Sequence, residues 1–185
     1  MCVNDNLYAE VLAVLQKHRI TKTRNRPNAS GLDYVTQYGK NKGTNIFSRV
    51  GVMCESQNFG IVKKRFSHNG NIHMKYDQPF QPSANNHKYP LVYEALKKII
   101  KAIDPDFEYN SITLNHNFKT LPHYDKSNKS PSLIVALGDY TGGELVIEDC
   151  KFDICCKPLI MNGGVSKHWT NDFVGERYSI VYYKI

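Results

Sequence analysis

The chain has 185 residues, 41% hydrophobic and 11% aromatic, which excludes global disorder and suits one well-cored domain rather than two. Its formal charge of +7 favours an anionic partner such as nucleic acid, although a solubilising surface has the same composition. No apolar stretch approaches a membrane span, and the N-terminus lacks the basic start and apolar run of a secretory leader, so membrane and secreted classes are not expected.

Taken in chain order, Leu7, Val11, Leu12 and Leu15 recur at helical spacing and predict a helix over 5–18, capped by Asp5 or Asn6. Residues 21–30 are basic, rich in Asn and broken by Pro27, and read as a loop. The polar, Gly-punctuated 37–44 reads the same way, whereas 46–54 and 59–64 read as strands. Pro79 and Pro82 make 68–86 loop-like. The clearest helix is 89–103, with Pro90 in its first turn, an apolar face of Leu91, Tyr93, Leu96, Ile99, Ile100 and Ile103, and Pro105 as its stop. Short strand candidates then follow at 111–117, 132–137, 144–147, 152–154, 159–162 and 178–183. Gly138-Asp139, Thr141-Gly142-Gly143, Asp149 and Asn162-Gly163-Gly164 separate them. This rhythm predicts a β-barrel or sandwich rather than a βαβ sheet. The whole is a mainly β chain with N-terminal helices (α+β). It is expected to form one domain over 1–185, with 1–105 as support and 106–185 as the core carrying the chemistry. Five cysteines (Cys2, Cys54, Cys150, Cys155 and Cys156), odd in number and at no zinc-site spacing, point to reduced thiols in an intracellular compartment.

The chemistry concentrates in TLPHYDKSN. His123 and Asp125 are two apart, so on an extended strand both project to one face and can share a metal. His168 is the candidate third ligand. Two histidines and one carboxylate on one face of a metal leave open positions for a chelating co-substrate and dioxygen, the facial triad of non-haem iron(II) oxygenases. Arg177 lies in the apolar run RYSIVYY, where a buried guanidinium requires an anion. Its planar fork suits a carboxylate, and Ser179 shares its strand face. The alternative is an edge-strand Arg paired with a surface carboxylate.

HYD at 123–125, the distal His168 and GERYSIVYY at 175–183 resemble, in order and spacing, the 2-oxoglutarate/Fe(II) dioxygenases, and GGEL at 142–145 recurs in that superfamily. The resemblance covers 111–183 and implies a double-stranded β-helix (jelly roll) behind N-terminal helices. It implies Fe(II) bound by His123, Asp125 and His168, and 2-oxoglutarate whose distal carboxylate is held by Arg177 with Ser179. Dioxygen is then reduced as the co-substrate decarboxylates to succinate and a substrate C–H bond is hydroxylated. Asn115, or Asn117 in its place, would lie near the co-substrate, although both also fit turn chemistry.

Asn128 completes an HxDxxN pattern similar to the TET/JBP-like group, which oxidises the methyl group of thymine or 5-methylcytosine in nucleic acid. There the Asn would hold the flipped base, with Tyr124, Tyr140, Trp169 and Phe173 as stacking candidates. Lys17, Lys22, Arg24 and Arg26, with Lys40, Lys42, Arg49, Lys63, Lys64 and Arg65, are candidates for phosphate contacts. The chain departs from that group in having no Cys-rich zinc module and no long insert between its ligand segments. Three other readings stand beside it. GGEL is also similar to the prolyl hydroxylases, whose substrates are peptides. AlkB-like demethylases usually carry an Asn-x-Tyr and a second terminal Arg that are missing here. A catalytically silent jelly-roll binding module is the non-enzymatic reading.

Overall fold

The structure is a computed structural model, describing residues 3–24, 26–38, 45–63, 66–68, 71–73 and 80–185. In chain order the elements are α1 (Val3–Gln16), β1 (Lys22–Thr23), α2 (Pro27–Ser30), β2 (Leu32–Tyr38), β3 (Asn45–Gly51), β4 (Cys54–Lys63), β5 (Phe66–His68), β6 (Asn71–His73) and β7 (Phe80–Pro82). They continue with α3 (Ala84–Lys88), α4 (Pro90–Ile103), β8 (Ser111–His116), β9 (Ser132–Gly142), β10 (Leu145–Ile147), β11 (Cys150–Phe152), β12 (Leu159–Met161), β13 (His168–Thr170) and β14 (Phe173–Tyr183).

The strands form a seven-stranded sheet in the order β1-β4-β8-β14-β9-β12, with β7 pairing β4, and a three-stranded sheet in the order β11-β10-β13. Every pairing between these strands is antiparallel. The main core lies between α1, α4 and the larger sheet. There Tyr8, Val11 and Leu15 from α1 and Val92, Leu96, Ile99 and Ile100 from α4 meet Ile112, Leu114, Tyr178, Ile180 and Tyr182. The buried Tyr182 hydroxyl donates to the Leu96 carbonyl at 2.6 Å, which ties α4 to the central strand. A second core of Ile134, Ala136, Leu145, Ile154 and Met161 lies between the two sheets.

Alternation gives β8 and β14 two buried faces of opposite chemistry. Ile112, Leu114, Ile180 and Tyr182 face the helices, while Ser111, Thr113, Asn115, Arg177 and Ser179 face the other way, and all nine are buried. Strands buried on both faces normally read as continuous apolar runs. The interruption here is an inward polar surface, and it is where the candidate site residues stand.

Several expectations need revision. Leu91 is 79% exposed, because the stripe on α4 begins one residue later at Val92. The loop expected at 21–30 contains β1 and α2, and 68–86 contains β6, β7 and α3. In the latter, Ser83 caps α3 through Asn85 N–H, and Pro82 is tolerated in a three-residue strand. Gly138-Asp139 is not a break. Strand β9 runs through it opposite β14, and Gly138 (φ +130°) and Gly175 (φ +113°) let the two backbones approach where a Cβ would strike the carbonyls of Glu176 and Asp139. Strand β13, three residues long, is too short to show a periodicity in the sequence. The expected polar segment 37–44 begins on the last two residues of β2 and otherwise lies outside the described residues, as do Lys40, Lys42, Lys64 and Arg65.

Candidate metal centre

His123 and Asp125 lie beyond β8, in its connection to β9, so a regular strand does not aim them. Their convergence has another cause. His123 pairs with His168 at the start of β13 through two backbone hydrogen bonds, N to O at 3.0 Å and 3.1 Å. Asp125 N–H donates to the Gly163 carbonyl at 2.7 Å. The loop carrying the first two candidate ligands is thus stitched to the segment carrying the third. It is also tied to the N-terminal half, because Leu121 N–H donates to the Ala29 carbonyl at 2.7 Å.

The three side chains then meet. His123 Nε2 lies 3.7 Å from Asp125 Oδ1, and His168 Nε2 lies 3.5 Å from Asp125 Oδ2. One ligand atom from each fits within 4.8 Å of the others. Ligands ~2.1 Å from an ion and at right angles around it would be roughly 3 Å apart, so a small inward adjustment closes the set. The tautomers favour this. His123 Nδ1–H donates to the Leu121 carbonyl at 2.7 Å, and His168 Nδ1–H donates to the Ser166 carbonyl at 3.0 Å. Since a carbonyl can only accept, both Nδ1 atoms hold protons, and each Nε2, the lone-pair atom of a neutral ring in this tautomer, faces the carboxylate. Burial, with His168 beside it, lowers the pKa of His123 and keeps its ring neutral. For Asp125 burial pulls upward, but the adjacent His168 and the charge of Arg26 outweigh it, and the carboxyl ends below its ordinary value. Two imidazoles and an ionised carboxylate form a donor set that fits a divalent metal.

Arg177 is the other unusual group. It is 2% exposed, and its Nε–H is buried with no hydrogen-bond partner. The guanidinium packs against the rings of Tyr140 and Phe173, at 5.4 Å and 5.6 Å from their centroids. Burial lowers its pKa, only partly countered by Tyr140. No carboxylate pairs with it among the described salt bridges, so the surface-pair alternative does not hold. A buried cation with an orphaned donor is costly unless an anion joins it, and a carboxylate fits both needs. Gly143, in the GGEL run, makes room for it, since a Cβ there would lie 3.0 Å from Arg177 Nε.

Three solved structures align with this chain at low identity. An oxidoreductase of the 2OG-Fe(II) oxygenase family from Burkholderia pseudomallei aligns over 95% of this chain and 76% of its own, at 15% identity and a TM-score of 0.48. NgTET1, solved in complex with 5mC DNA, aligns over 70% of this chain at 16% identity and a TM-score of 0.48. The alignment spans 60% of NgTET1, less than two thirds of its length. OsALKBH1 aligns over 97% of this chain and 93% of its own, at 11% identity and a TM-score of 0.39. No family model and no curated protein matches the sequence. The functional reading rests on the side chains.

The remaining expected residues separate into two groups. Ser179 and Asn115 share the inward face with Arg177 and are bonded to each other, Asn115 Nδ2 donating to Ser179 Oγ at 3.1 Å. Asn115 Oδ1 also accepts from Ser56 Oγ at 2.8 Å and Arg26 Nη1 at 3.1 Å, which makes it a buried hub. Asn117 does not share that face. Strand β8 ends before it, its φ is +44°, and its Oδ1 accepts from the Arg177 backbone N–H at 2.8 Å. Asn128 lines a cleft of about 190 Å³ with His123, Asp125, Tyr124, Lys126, Arg26 and Asn28, and its Nδ2 donates to Ser132 Oγ at 3.0 Å. Of the four stacking candidates only Tyr124, 40% exposed, borders this cleft. Tyr140 and Phe173 pack on Arg177, and Trp169 pairs with Val146 across β10 and β13. Lys22 lies 3.8 Å from Glu55. Arg26, counted in the sequence as one of several loop cations, reaches the metal centre itself. It bonds Asn115, lies 5.7 Å above the Phe118 ring and bears on Asp125. Nothing in its local sequence distinguishes it, because its position depends on packing across the N-terminal half.

Proposed function

We propose that this chain is an iron(II)- and 2-oxoglutarate-dependent dioxygenase that hydroxylates a base methyl group in nucleic acid. One observation carries the chemistry: two imidazole Nε2 atoms and a carboxylate converge at the edge of a cleft, in a protein that also buries a guanidinium with no anion among the described residues. In this reading the two antiparallel sheets enclosing Ile134, Ala136 and Leu145 are a double-stranded β-helix, or jelly roll. Residues 106–185 form that core and 1–105 its support, within one domain.

His123, Asp125 and His168 would hold the iron, and the backbone bridge between the histidines would fix its face. Bound there, iron with 2-oxoglutarate and dioxygen supplies the oxidising power for C–H hydroxylation. Arg177 would bind the distal carboxylate. Ser179 and Asn115, hydrogen-bonded to each other on the same face, would shape that pocket. The substrate would enter by the cleft of Arg26, Tyr124, Lys126 and Asn128, where two cations suit a phosphate and an amide suits a base edge. The net charge of +7 supports the same class.

The deciding experiment is mass spectrometry of DNA, RNA and peptide pools incubated with the protein, iron(II), ascorbate and 2-oxoglutarate, with Asp125→Ala as control. A gain of one oxygen on thymine or 5-methylcytosine, absent in the control, supports the proposal. Oxygen gained on peptide would make the protein a side-chain hydroxylase, and loss of an N-alkyl group a demethylase. No consumption of 2-oxoglutarate with any pool would leave a binding module.

A further inference from the structure

The cleft at the metal centre continues onto an apolar shelf that the proposed chemistry leaves unused. Leu121, 44% exposed, and Val52, 40% exposed, converge over Gly31, where an added Cβ would lie 3.2 Å from Leu121 Cδ1 and 4.0 Å from Val52 Cγ2. The convergence is built into the backbone. Leu121 N–H donates to the Ala29 carbonyl at 2.7 Å, and Val52 N–H donates to the Gly31 carbonyl at 3.1 Å. The pairing of Leu32 with Gly51 then closes the foot of the β2–β3 ribbon beside them. Gly31 is left-handed, at φ +82°, a conformation that favours glycine and leaves no Cβ to intrude on the two side chains. Ala29 also lines the cleft of His123, Asp125 and Arg26, so shelf and cleft are continuous.

A single exposed aliphatic side chain carries no information, but two held together at the mouth of a polar, cationic cleft restrict what can lie across both. The occupant must be apolar where it meets Leu121 and Val52 and anionic where it meets Arg26 and Lys126 of the cleft. A nucleobase on its phosphate backbone has both properties. In a closed duplex the faces of the bases beside the target are covered by their neighbours in the stack, whereas an unpaired strand can turn such a face outward. Leu121 is also poorly shaped as a wedge for a closed stack. More than half of its surface is covered, and it lies over Gly31 beside Val52 rather than projecting alone. We propose that the substrate is a single strand of nucleic acid, and that Leu121 and Val52 form the platform for a base next to the one oxidised. The inference rests on the function proposed above and narrows its substrate from nucleic acid in general to an unpaired strand.

Fluorescence anisotropy on the full chain loaded with manganese(II), at one fixed salt concentration, tests this. The probes are short labelled oligodeoxynucleotides with one central thymine or 5-methylcytosine, either single-stranded or paired with their complements. Charge alone favours the duplex, whose phosphates are denser, so a tighter hold on the single strand reports contact with bases. The single strand should bind about ten-fold more tightly than the duplex. In the double variant Leu121→Ser with Val52→Ser, its Kd should rise about ten-fold, in the range for covering roughly half of two aliphatic side chains. Replacing the bases on both sides of the target by abasic sugars should erase that difference between the variant and the unaltered protein. Val52→Ser alone, which leaves the ligand-bearing loop unaltered, should give about a three-fold rise and supplies the comparison if the double variant does not fold. An unchanged Kd, an equal loss on the abasic strand, or a preference of the unaltered protein for duplex would overturn the inference and leave the proposed function standing. So would a loss confined to the duplex, which would make Leu121 a wedge. If neither form of nucleic acid binds and oxygen is gained only on peptide, that function and this inference fall together.

Discussion

Replacing Gly163 by Ala should weaken metal binding without unfolding the protein. A Cβ built there lies 3.0 Å from His168 Cε1, 3.2 Å from Met161 Cε and 3.4 Å from Asp125 Oδ2. The Met161 methyl ends a flexible side chain and can withdraw. The imidazole cannot, because Nδ1–H is held by the Ser166 carbonyl and its backbone is bridged to His123. The added methyl therefore tilts the ring or shifts the Gly163 carbonyl that holds Asp125 N–H, and either moves one ligand by a few tenths of an ångström relative to the others. Disturbing the orientation of a metal ligand typically costs 10- to 100-fold in affinity, so a loss of about 1.4 to 2.7 kcal/mol is expected. Gly163 is not in the left-handed region, so Ala suits its backbone, and lower unfolded-state entropy returns about 0.4 to 1 kcal/mol to the apo-protein. Anaerobic titration with iron(II) or manganese(II), paired with thermal melts with and without metal, reads both effects. The apo melting temperature should be nearly unchanged while the metal-induced rise shrinks. Metal affinity within two-fold of the unaltered protein would refute the reasoning, since it would mean that His168 is free to move and the crowding has no consequence.

Arg177→Met should raise the 2-oxoglutarate concentration needed for half-saturation about 100-fold, through loss of a charge-assisted contact, while stability falls by no more than ~2 kcal/mol because an unpaired buried charge disappears with it. Calorimetry and chemical denaturation check the two halves. Asn128→Ala should depress oxidation of nucleic acid at least ten-fold while substrate-free decay of 2-oxoglutarate changes little, and equal losses in both would remove its assignment to the substrate. Stability of the metal-free protein should fall as pH drops through about 6.5. His123 binds its proton more weakly in the fold than in the unfolded chain, so the unfolded state takes up proton first and gains from acidification. Denaturant titrations across that range should show the slope, and His123→Asn should flatten it.

The parts of this protein that were legible in the sequence are those where local pattern and function coincide. The apolar stripe of α4 declares itself at helical spacing, and the strand that carries Arg177 stands out because a cation interrupts Tyr, Ile and Val. The HxD spacing pointed to two side chains that the fold does bring together, though not by the expected route. An i, i+2 relation on a strand was expected to aim them, whereas an irregular loop does so, held by the backbones of His168, Gly163 and Ala29. Such stitching joins segments remote in sequence and leaves no periodicity behind. Arg26 was illegible for the same reason. It is an ordinary member of its local composition, a loop cation, and reaches Asn115 and Asp125 only through what the fold sets against it. Gly163 and Gly143 lie between these cases. Both fall in runs that read as turn signals, yet neither is explained by its turn alone: a methyl at 163 would crowd His168, and one at 143 would crowd the Arg177 guanidinium. Glycine in a candidate site can thus report the size of its neighbour's side chain as well as the bend of its own backbone, and at these two positions the neighbours are a candidate metal ligand and the candidate carboxylate anchor.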